Sequence, residues 1–388
     1  MFHLLRASVT TLAIAVVSTV QAEVVVGVIS PLTGQFARTG ETWKESIELY
    51  VKLNGDSAGG EKIRFVYKDL ADVNPAKARA LVQELIVKDK AQIVAGFLYT
   101  PNAIAGAPIA TEAKVPLVIF NAAGVGLLDR SPYLLRVSYT QPQLTVPMAI
   151  YAIDNGMKKV ATVVSDYGSG TDVERTFEKQ FVAKGGQITN KIRVPLDNFD
   201  FSPFMQTIKA SKPDAVLSFT PGGVVSLGLV KAYKETGLEA LGIKLLTVGG
   251  EVDEASTLKT LGKTALGIYS SSLYNPTGAS AENKAFRAAF AKQYPGVEIG
   301  VTHIEGWDGV HLIYHMIEGT KGAKDGDKAV QAAKGFAWKS PRGNVQIDAK
   351  SRDLIQDIHI RRVAEVAGTV ANEGIKVFEK QPDWGRQE

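Results

Sequence analysis

The feature that most constrains this chain is the alternation of strand-like and helix-like segments along most of its length. Short apolar runs such as VVVGVI (24–29) and QIVAGF (92–97) alternate with longer stretches whose apolar residues recur at helical spacing. The stretch NPAKARALVQELIVKD (74–89) opens with an Asn that can cap a helix and a Pro at the first helical position. This pattern predicts an α/β protein whose parallel sheets are covered by helices on both faces.

The alternation extends over more residues than one sheet comfortably holds, and it restarts near residues 139–141. We therefore expect two lobes joined by short crossovers, since no low-complexity linker separates the halves. The tail GNVQIDAKSRDLIQDIHIRRVAEVAG is instead typical of short antiparallel strands. Ligands of open α/β sheets bind beyond the carboxyl ends of the strands, so the loops there are the place to seek a site.

The first 22 residues are typical of a secretory signal peptide. MFHLLR carries one positive charge, a mostly apolar run follows, and VQA places small or β-branched residues before the expected cleavage after Ala22. An N-terminal membrane anchor is the alternative, and the lack of cysteine excludes a lipid-anchored lipoprotein. We expect an exported, soluble, periplasmic protein held by its apolar core. A net charge of +4 is too modest to indicate a nucleic-acid partner.

Motifs for catalysis and cofactors are scarce. In VVSDYGSGTDVE (163–174), Gly168 and Gly170 are spaced as in a dinucleotide fingerprint, but Val173 stands where the third glycine is needed. No phosphate-binding loop, nucleophile elbow or H-E-x-x-H pattern occurs. His311 and His315 could share a helix face and hold a metal, yet no third ligand is apparent. We expect no enzymatic activity, no cofactor and no metal.

Three loops carry candidate binding residues, each with a plainer alternative. Thr100 can cap a helix whose free amides at Asn102 and Ala103 would bind a carboxylate, although any capped helix has this geometry. Tyr167 follows a strand and could form a wall for an apolar or cationic group, or merely occupy a tight turn. Glu251 follows two glycines and could pair with a ligand ammonium, or lie on the surface.

Several stretches together resemble the solute-binding proteins of ABC transporters for branched-chain amino acids. They are spread in order over nearly the whole chain after residue 22: VVVGVISPLTGQFARTG, GFLYTPNAIAGAPIATEAKVPLVIF, VVSDYGSG, RVPLDNFDFSPFMQTIKASKPDAV, NKAFRAAFAKQYPG and GWDGVHLI. The resemblance implies the type I periplasmic binding fold, in which two Rossmann-like lobes with parallel central sheets are joined by three crossover strands. It places lobe I at 23–140 with 274–345, and lobe II at 141–273 with 346–388.

The same resemblance implies how a ligand is held. The family binds an α-carboxylate with first-lobe amides and hydroxyls, here Thr100 and the segment Asn121–Ala123, and an α-ammonium with a second-lobe acid, here Glu251. Thr39 and Thr220 stand where the family often has aromatic residues, which weakens the amino-acid assignment. The full set of ligand-binding residues that we predict is Thr39, Thr100, Asn121, Ala122, Ala123, Tyr167, Thr220, Glu251 and Tyr274.

We therefore expect a monomeric receptor whose lobes close on an apolar, branched-chain amino acid and which delivers it to an inner-membrane ABC permease. Two alternatives stay open: an aromatic or other carboxylic acid as the ligand, and a receptor that senses its ligand without transport. Glu251 favours the amino acid, because an ionised carboxylate buried beside a carboxylate ligand would be unfavourable.

Overall fold

The computed structural model describes residues 23–196, 198 and 200–386. The predicted signal peptide and its cleavage point lie outside these residues. The first part of the described chain contains, in order, β1 (Glu23–Ser30), α1 (Ala37–Asn54), β2 (Ser57–Ala58), β3 (Glu61–Asp69), α2 (Pro75–Val87), β4 (Ile93–Gly96), α3 (Thr100–Ala113), β5 (Leu117–Ile119) and β6 (Leu134–Arg136). As the sequence predicts, the side chain of Asn74 caps α2 by accepting a hydrogen bond from the Lys77 amide.

The alternation continues through the middle of the chain and then gives way to antiparallel strands. The middle elements are α4 (Gln141–Asp154), β7 (Lys159–Ser165), α5 (Gly168–Ala183), β8 (Gln187–Val194), α6 (Ser202–Ser211), β9 (Ala215–Phe219), α7 (Gly223–Glu235), β10 (Lys244–Val248), α8 (Ala255–Leu261) and β11 (Tyr269–Ser272). The last are α9 (Ala281–Gln293), α10 (Val301–Thr320), α11 (Gly326–Ala333), β12 (Ala337–Ser340), β13 (Gly343–Ile347), β14 (Leu354–Val366) and β15 (Thr369–Gln381).

Within the described residues these strands form two sheets, one in each lobe. The first has the order β2-β3-β1-β4-β5-β6 and is parallel apart from the short β2. The second has the order β12-β13-β14-β11-β10-β9-β7-β8, with β15 paired to β14, and its parallel part runs from β11 to β8. The predicted α/β fold class is therefore confirmed, including the antiparallel tail.

Each sheet is covered on both faces by apolar side chains. In the first sheet, Val26 and Val28 of β1 pack under α1 and α10, while Val25 and Ile29 face α2 and α3. The second sheet divides its strands in the same way between two buried clusters. Within the described residues, no helix combines the length and the apolarity needed to cross a bilayer.

The elements after β11 contact both lobes. Helix α10 places Ile304 in a cluster of the second lobe and Val310 in a cluster of the first. Strand β13 is hydrogen-bonded into the second sheet, yet its Val345 and Ile347 are buried in the first-lobe core. The lobe boundaries given above stay a prediction, because α10 and β13 contact both lobes.

Candidate functional site

The two sheets place the predicted residues at equivalent points of the two lobes. In the first sheet the strand order reverses at β1, so the loops after β1 and β4 diverge there and leave a crevice. Thr39 follows β1 and Thr100 follows β4. In the second sheet the order reverses between β7 and β9, which are followed by Tyr167 and Thr220. Four of the predicted residues therefore lie at these topological switch points, where α/β sheets bind ligands.

Thr100 occupies a different helix position from the one predicted. Helix α3 begins at Thr100 itself, with Tyr99 at the N-cap position and no side-chain cap. The amides of Asn102 and Ala103, expected to be free, both donate to the Tyr99 carbonyl oxygen at 3.1 and 3.2 Å. The Thr100 hydroxyl instead accepts a hydrogen bond from the Gly124 amide at 3.0 Å. Thr100 thus fixes the loop after β5, and the expected anion site on α3 loses two of its donors.

The loop after β5 presents backbone donors. Its carbonyl groups at Ala122 and Gly124 accept hydrogen bonds from the buried Arg136 guanidinium at 2.9 and 3.1 Å. The Ala122 amide donates to the Phe97 carbonyl. The backbone N–H groups of Asn121 and Ala123 have no partner in the part of the chain that the structure describes. These two N–H groups are available to a ligand acceptor, and the small, buried side chains of Ala122 and Ala123 let a ligand come close.

The side chain of Asn121 is tied to a buried acid that the sequence reasoning missed. Its Nδ2 donates to Oε1 of Glu305 on α10 at 2.8 Å, and Trp43 Nε1 donates to Oε2 at 3.4 Å. Glu305 is fully buried. Burial raises the pKa of Glu305 to about 8, with Glu254 adding to the rise and the two hydrogen bonds opposing it. This carboxyl is therefore un-ionised at neutral pH.

An aromatic wall faces the cleft in each lobe. In the second lobe, the rings of Tyr167 and Phe219 stack with centroids 6.0 Å apart. In the first lobe, Phe36 and Tyr99 meet edge to face, also at 6.0 Å. Burial raises the pKa of Tyr167, a hydrogen bond with Ser169 opposes the rise, and Tyr99 and Glu251 add to it, so Tyr167 lies within electrostatic range of Tyr99 in the first lobe. Phe36 supplies an aromatic side chain to the loop in which the sequence comparison found only Thr39.

Glu251 is held inside the second lobe by a glycine turn. Both Gly249 and Gly250 have positive φ values, of 76° and 72°. A Cβ on Gly250 would lie 2.0 Å from the Thr220 carbonyl oxygen, so glycine is required there. Glu251 is fully buried, and neither carboxyl oxygen has a hydrogen-bond partner among the described residues. Burial raises the pKa of Glu251 to about 8, although the nearby hydroxyls of Ser218 and Thr220 lower it.

Two further residues lie between the lobes, and the sequence reasoning missed both. Burial raises the pKa of Tyr139, and Glu305, Tyr167 and Glu254 raise it further, so the Tyr139 phenol lies among these groups. Burial raises the pKa of Glu254 to about 7, opposed by the charge of Arg38, although the side chain is partly open to solvent.

The structure does not bring every predicted residue to the cleft surface. The Thr220 hydroxyl is buried and shares a 2.6 Å hydrogen bond with Ser226. The Tyr274 hydroxyl donates to Asn283 at 2.8 Å, and its ring is buried in the second-lobe core. Thr39 lies half-buried in the first turn of α1. Thr100 is hydrogen-bonded to the loop that carries Asn121 to Ala123, and Tyr167 lies within electrostatic range of Glu251; their joint role in one ligand site stays a prediction.

The histidines proposed as an alternative metal pair have other contacts. His311 Nδ1 is hydrogen-bonded to the Tyr50 hydroxyl at 2.8 Å, and the rings of His311 and His315 both stack on Phe336. No group of metal-ligating side chains is found within the described residues. The cleft therefore offers aromatic faces, two backbone donors and un-ionised carboxyls, a set suited to recognising a small apolar molecule with polar ends.

Comparisons with known proteins point in one direction. The family model described as "periplasmic binding protein" matches residues 23–369. The Leu/Ile/Val-binding protein homolog 6 of Brucella melitensis is 43% identical over 362 residues, which is 93% of each chain.

Two solved structures are similar over almost the whole chain. The solute binding protein of an ABC transporter from Rhodopseudomonas palustris HaA2, in complex with p-hydroxybenzoic acid, matches with a TM-score of 0.91 and 44% identity. The corresponding protein from Rhodopseudomonas palustris BisB5, in complex with 3,4-dihydroxy benzoic acid, matches with a TM-score of 0.89 and 41% identity. Each match covers 94% of this chain and 99% of the other.

Proposed function

This chain belongs to the periplasmic binding protein family and is a solute-binding protein of ABC transporters, and we propose that its ligand is an aromatic carboxylic acid of the hydroxybenzoate class. The ligand would lie between the lobes, with its ring against Tyr167 and Tyr99. Its carboxylate would accept hydrogen bonds from the free N–H groups of Asn121 and Ala123. Closure of the two lobes around it would create the form that the transporter recognises.

The observation that carries this proposal is the state of Glu251. The sequence argument favoured an amino acid because an ionised Glu251 would repel a carboxylate ligand. The Glu251 carboxyl, however, is fully buried, neither of its oxygens has a hydrogen-bond partner among the described residues, and burial raises its pKa to about 8. These surroundings favour the neutral acid, which can donate a hydrogen bond to a ligand oxygen. The objection to an acidic ligand is thereby removed, and the aromatic walls supply the apolar surface that a benzoate ring needs.

The similar structures support the same ligand class. Two proteins at 44% and 41% identity hold p-hydroxybenzoic acid and 3,4-dihydroxy benzoic acid. An apolar amino acid is the second candidate, favoured by a specific feature: Glu251 is a buried acid without a cation partner among the described residues, and a ligand ammonium would supply one. The Brucella relative, named for leucine, isoleucine and valine, is in line with that candidate.

We further propose where the protein works and which membrane protein receives its ligand. We expect the protein to work in the periplasm, after cleavage behind Ala22, and to pass its ligand to an inner-membrane permease without chemical change. Family membership supports the periplasmic location. N-terminal sequencing of the exported protein tests the cleavage point.

A thermal-shift screen of residues 23–388 tests the ligand class. We would compare benzoate, 4-hydroxybenzoate and 3,4-dihydroxybenzoate with leucine, isoleucine, valine and phenylalanine. A ligand at 100 times its Kd adds about 2.7 kcal/mol to the free energy of unfolding, or roughly 3–4 °C for a chain of this size. A shift with the aromatic acids and none with the amino acids is expected. The reverse pattern would overturn the aromatic assignment and establish the amino-acid candidate.

A further inference from the structure

We propose that the cleft binds protons as co-ligands, one on Glu251 and one on Glu305, and that an anionic ligand is bound together with them whereas a cationic group expels the proton of Glu251. This inference rests on the proposed function, because it concerns the same cleft. It adds that ligand affinity depends on pH. The affinity for an anionic ligand falls as pH rises, and a ligand ammonium beside Glu251 has the opposite dependence.

The geometry around Glu251 favours a neutral acid. The carboxyl is fully buried, both oxygens lack hydrogen-bond partners, and no Lys, Arg or His of the described chain forms an ion pair with it. The groups that face it are hydroxyls, of Ser218 and Thr220 on β9 and the loop after it, and of Tyr167 at the start of α5. A buried charge without a counter-ion costs several kcal/mol, so the proton stays on the carboxyl until a cation arrives.

The second position is Glu305, which is fully buried and whose carboxyl oxygens accept hydrogen bonds from the neutral side chains of Asn121 and Trp43. Burial raises the pKa of Glu305, and the charge of Glu254 adds to the rise. The cations nearby are Arg38 from α1, which favours ionised Glu254, and Arg342 from the turn after β12, which favours ionised Glu305. Both cations already have acids of their own: Arg38 pairs with Glu41 and Glu45, and Arg342 pairs with Asp308.

The remaining groups on α10 and α1 do not neutralise Glu305. His303, two residues before Glu305, is hydrogen-bonded to Glu45 and to the Gly300 amide, and burial lowers its pKa. Trp43 and Asn121 contribute neutral donors. A buried carboxyl in such surroundings retains its proton, since ionising it would place an unpaired charge in a poorly hydrated space.

The consequence follows from linkage between ligand and protons. A carboxylate ligand binds the protonated cleft more tightly, so it draws protons in and its affinity falls as pH rises through the pKa values near 8. The fall can approach tenfold per pH unit for each linked proton. A ligand ammonium beside Glu251 acts in the opposite direction, because it favours the ionised acid and releases the proton.

Isothermal titration calorimetry in buffers of different ionisation enthalpy measures the protons exchanged. With 4-hydroxybenzoate and benzoate at pH 8 we expect net uptake of about half a proton from Glu251 alone, and more from Glu305. Glu251→Gln should lose the part of the uptake that belongs to Glu251, since an amide cannot titrate, whatever the change in affinity. Glu174→Gln is the control, because Glu174 is also buried but is ion-paired with Arg193.

A ligand-free measurement keeps the proposal testable whichever ligand binds. In protein labelled with ¹³C at the glutamate carboxyl groups, resonances assigned by Glu251→Gln and Glu305→Gln should titrate between pH 6 and 9 rather than near 4.5. Titration of both near 4.5 would overturn the inference outright. Tight binding of aromatic acids without proton exchange would also overturn it, while leaving the proposed function intact.

Binding of amino acids alone would also distinguish the proton inference from the proposed function. If only amino acids bind, and they release close to one proton at pH 7, the proton positions are supported and the proposed aromatic ligand is overturned. Amino-acid binding without proton release would overturn the inference about Glu251.

Discussion

The buried carboxyl of Glu251 should make the free energy of unfolding depend on pH, and this dependence can be measured without any ligand. Glu251 has a pKa of about 8 in the folded protein against an ordinary value of 4.5. The folded state therefore binds more protons than the unfolded state between these values. The stability associated with the neutral acid is complete below pH 4.5 and is lost progressively as pH rises to 8.

We expect Glu251→Gln to remove that pH dependence. The free energy of unfolding of the unsubstituted protein should fall between pH 5 and 8 by up to about 1.4 kcal/mol per pH unit from this group, and the variant should fall less steeply. Urea unfolding at pH 5, 6, 7 and 8 checks this. Parallel pH profiles for the two proteins would mean that Glu251 ionises freely, and Glu174→Gln provides the profile of a buried but paired acid.

A second residue prediction concerns Thr100, whose hydroxyl accepts the Gly124 amide. Thr100→Ala should leave that amide unpaired and loosen the loop carrying the N–H groups of Asn121 and Ala123. We expect a loss of about 1–2 kcal/mol in ligand affinity, or roughly 5- to 30-fold in Kd. Calorimetry with the ligand found in the thermal screen measures it. Thr100→Ser keeps the hydroxyl and should bind normally; an equal loss in both variants would assign the effect to the methyl group.

At the scale of elements, the two lobes use the same device to bring a helix close to a strand end. A Cβ on Gly170 of α5 would lie 1.9 Å from the Ser165 carbonyl oxygen, and a Cβ on Gly40 of α1 would lie 2.1 Å from the Pro31 carbonyl oxygen. Gly170 is thus required for the packing of α5 on the end of β7, whereas Gly168 makes no close contact of this kind. This packing places the start of α5, and with it Tyr167, against the cleft.

Substitution of the two glycines should therefore affect stability differently. Gly170→Ala should destabilise the protein by about 1–3 kcal/mol, because the added methyl collides with backbone that can move only with the strand. Gly168→Ala should change stability by less than about 0.5 kcal/mol, since nothing lies within 4 Å of its Cβ position. Urea midpoints of the two variants test the contrast. Equal midpoints would show that α5 can shift away from β7 without cost.

The elements were more predictable from the sequence than the site. Helix α2 was readable because its cap, Asn74, and its Pro75 are local signals, and β1 because its apolar run is continuous. Tyr167 and Glu251 could be proposed because strand ends position side chains predictably. Glu305 could not, because its partner Asn121 lies 184 residues away and α10 also carries Asp308, Glu318 and three histidines, so no local signal distinguishes Glu305 from them. Thr100 was misplaced by one helix position because Tyr99 at the N-cap uses its carbonyl rather than its side chain.

On the scale of the whole molecule, the lobes are joined through a buried polar network rather than through apolar packing alone. Arg342 donates to the Val137 carbonyl at 2.6 Å, to Gln356 and to Asp308 of α10. Gln356 in turn donates to the Ser138 carbonyl at 2.7 Å. The crossover before α4, the turn after β12 and the strand β14 are thus held together by directional bonds. Such bonds fix the relative position of the strands about which the lobes would turn.

Asp308 is the acid on which this network depends. Its Oδ2 accepts from Arg342 and Ser340, its Oδ1 accepts from Trp338 Nε1 at 2.9 Å, and both partners of the ion pair are fully buried. Asp308→Asn keeps the size of the side chain but leaves the Arg342 charge without its counter-ion. We expect a loss of about 3 kcal/mol in the free energy of unfolding. Glu365→Gln, which removes a solvent-exposed pair with Lys263, should cost less than about 1 kcal/mol.

Two optical probes separate a defect of the crossovers from a defect of one lobe. Tryptophan fluorescence contains the signal of Trp338 in the network together with those of Trp43, Trp307 and Trp384, so comparison with Trp338→Phe versions of both proteins identifies the Trp338 part. Far-UV circular dichroism reports on the helices of both lobes. If the network couples the lobes, Asp308→Asn should shift the urea midpoints of both signals equally, because neither lobe retains its neighbour's contacts once the crossovers open. In the other outcome, the fluorescence of Asp308→Asn changes at a lower urea concentration than that of the unsubstituted protein, while the circular-dichroism midpoint stays the same. That result would mean that the lobes are stable without the network. In that case the apolar contacts of α10 with both cores, rather than Arg342, would hold the two lobes together.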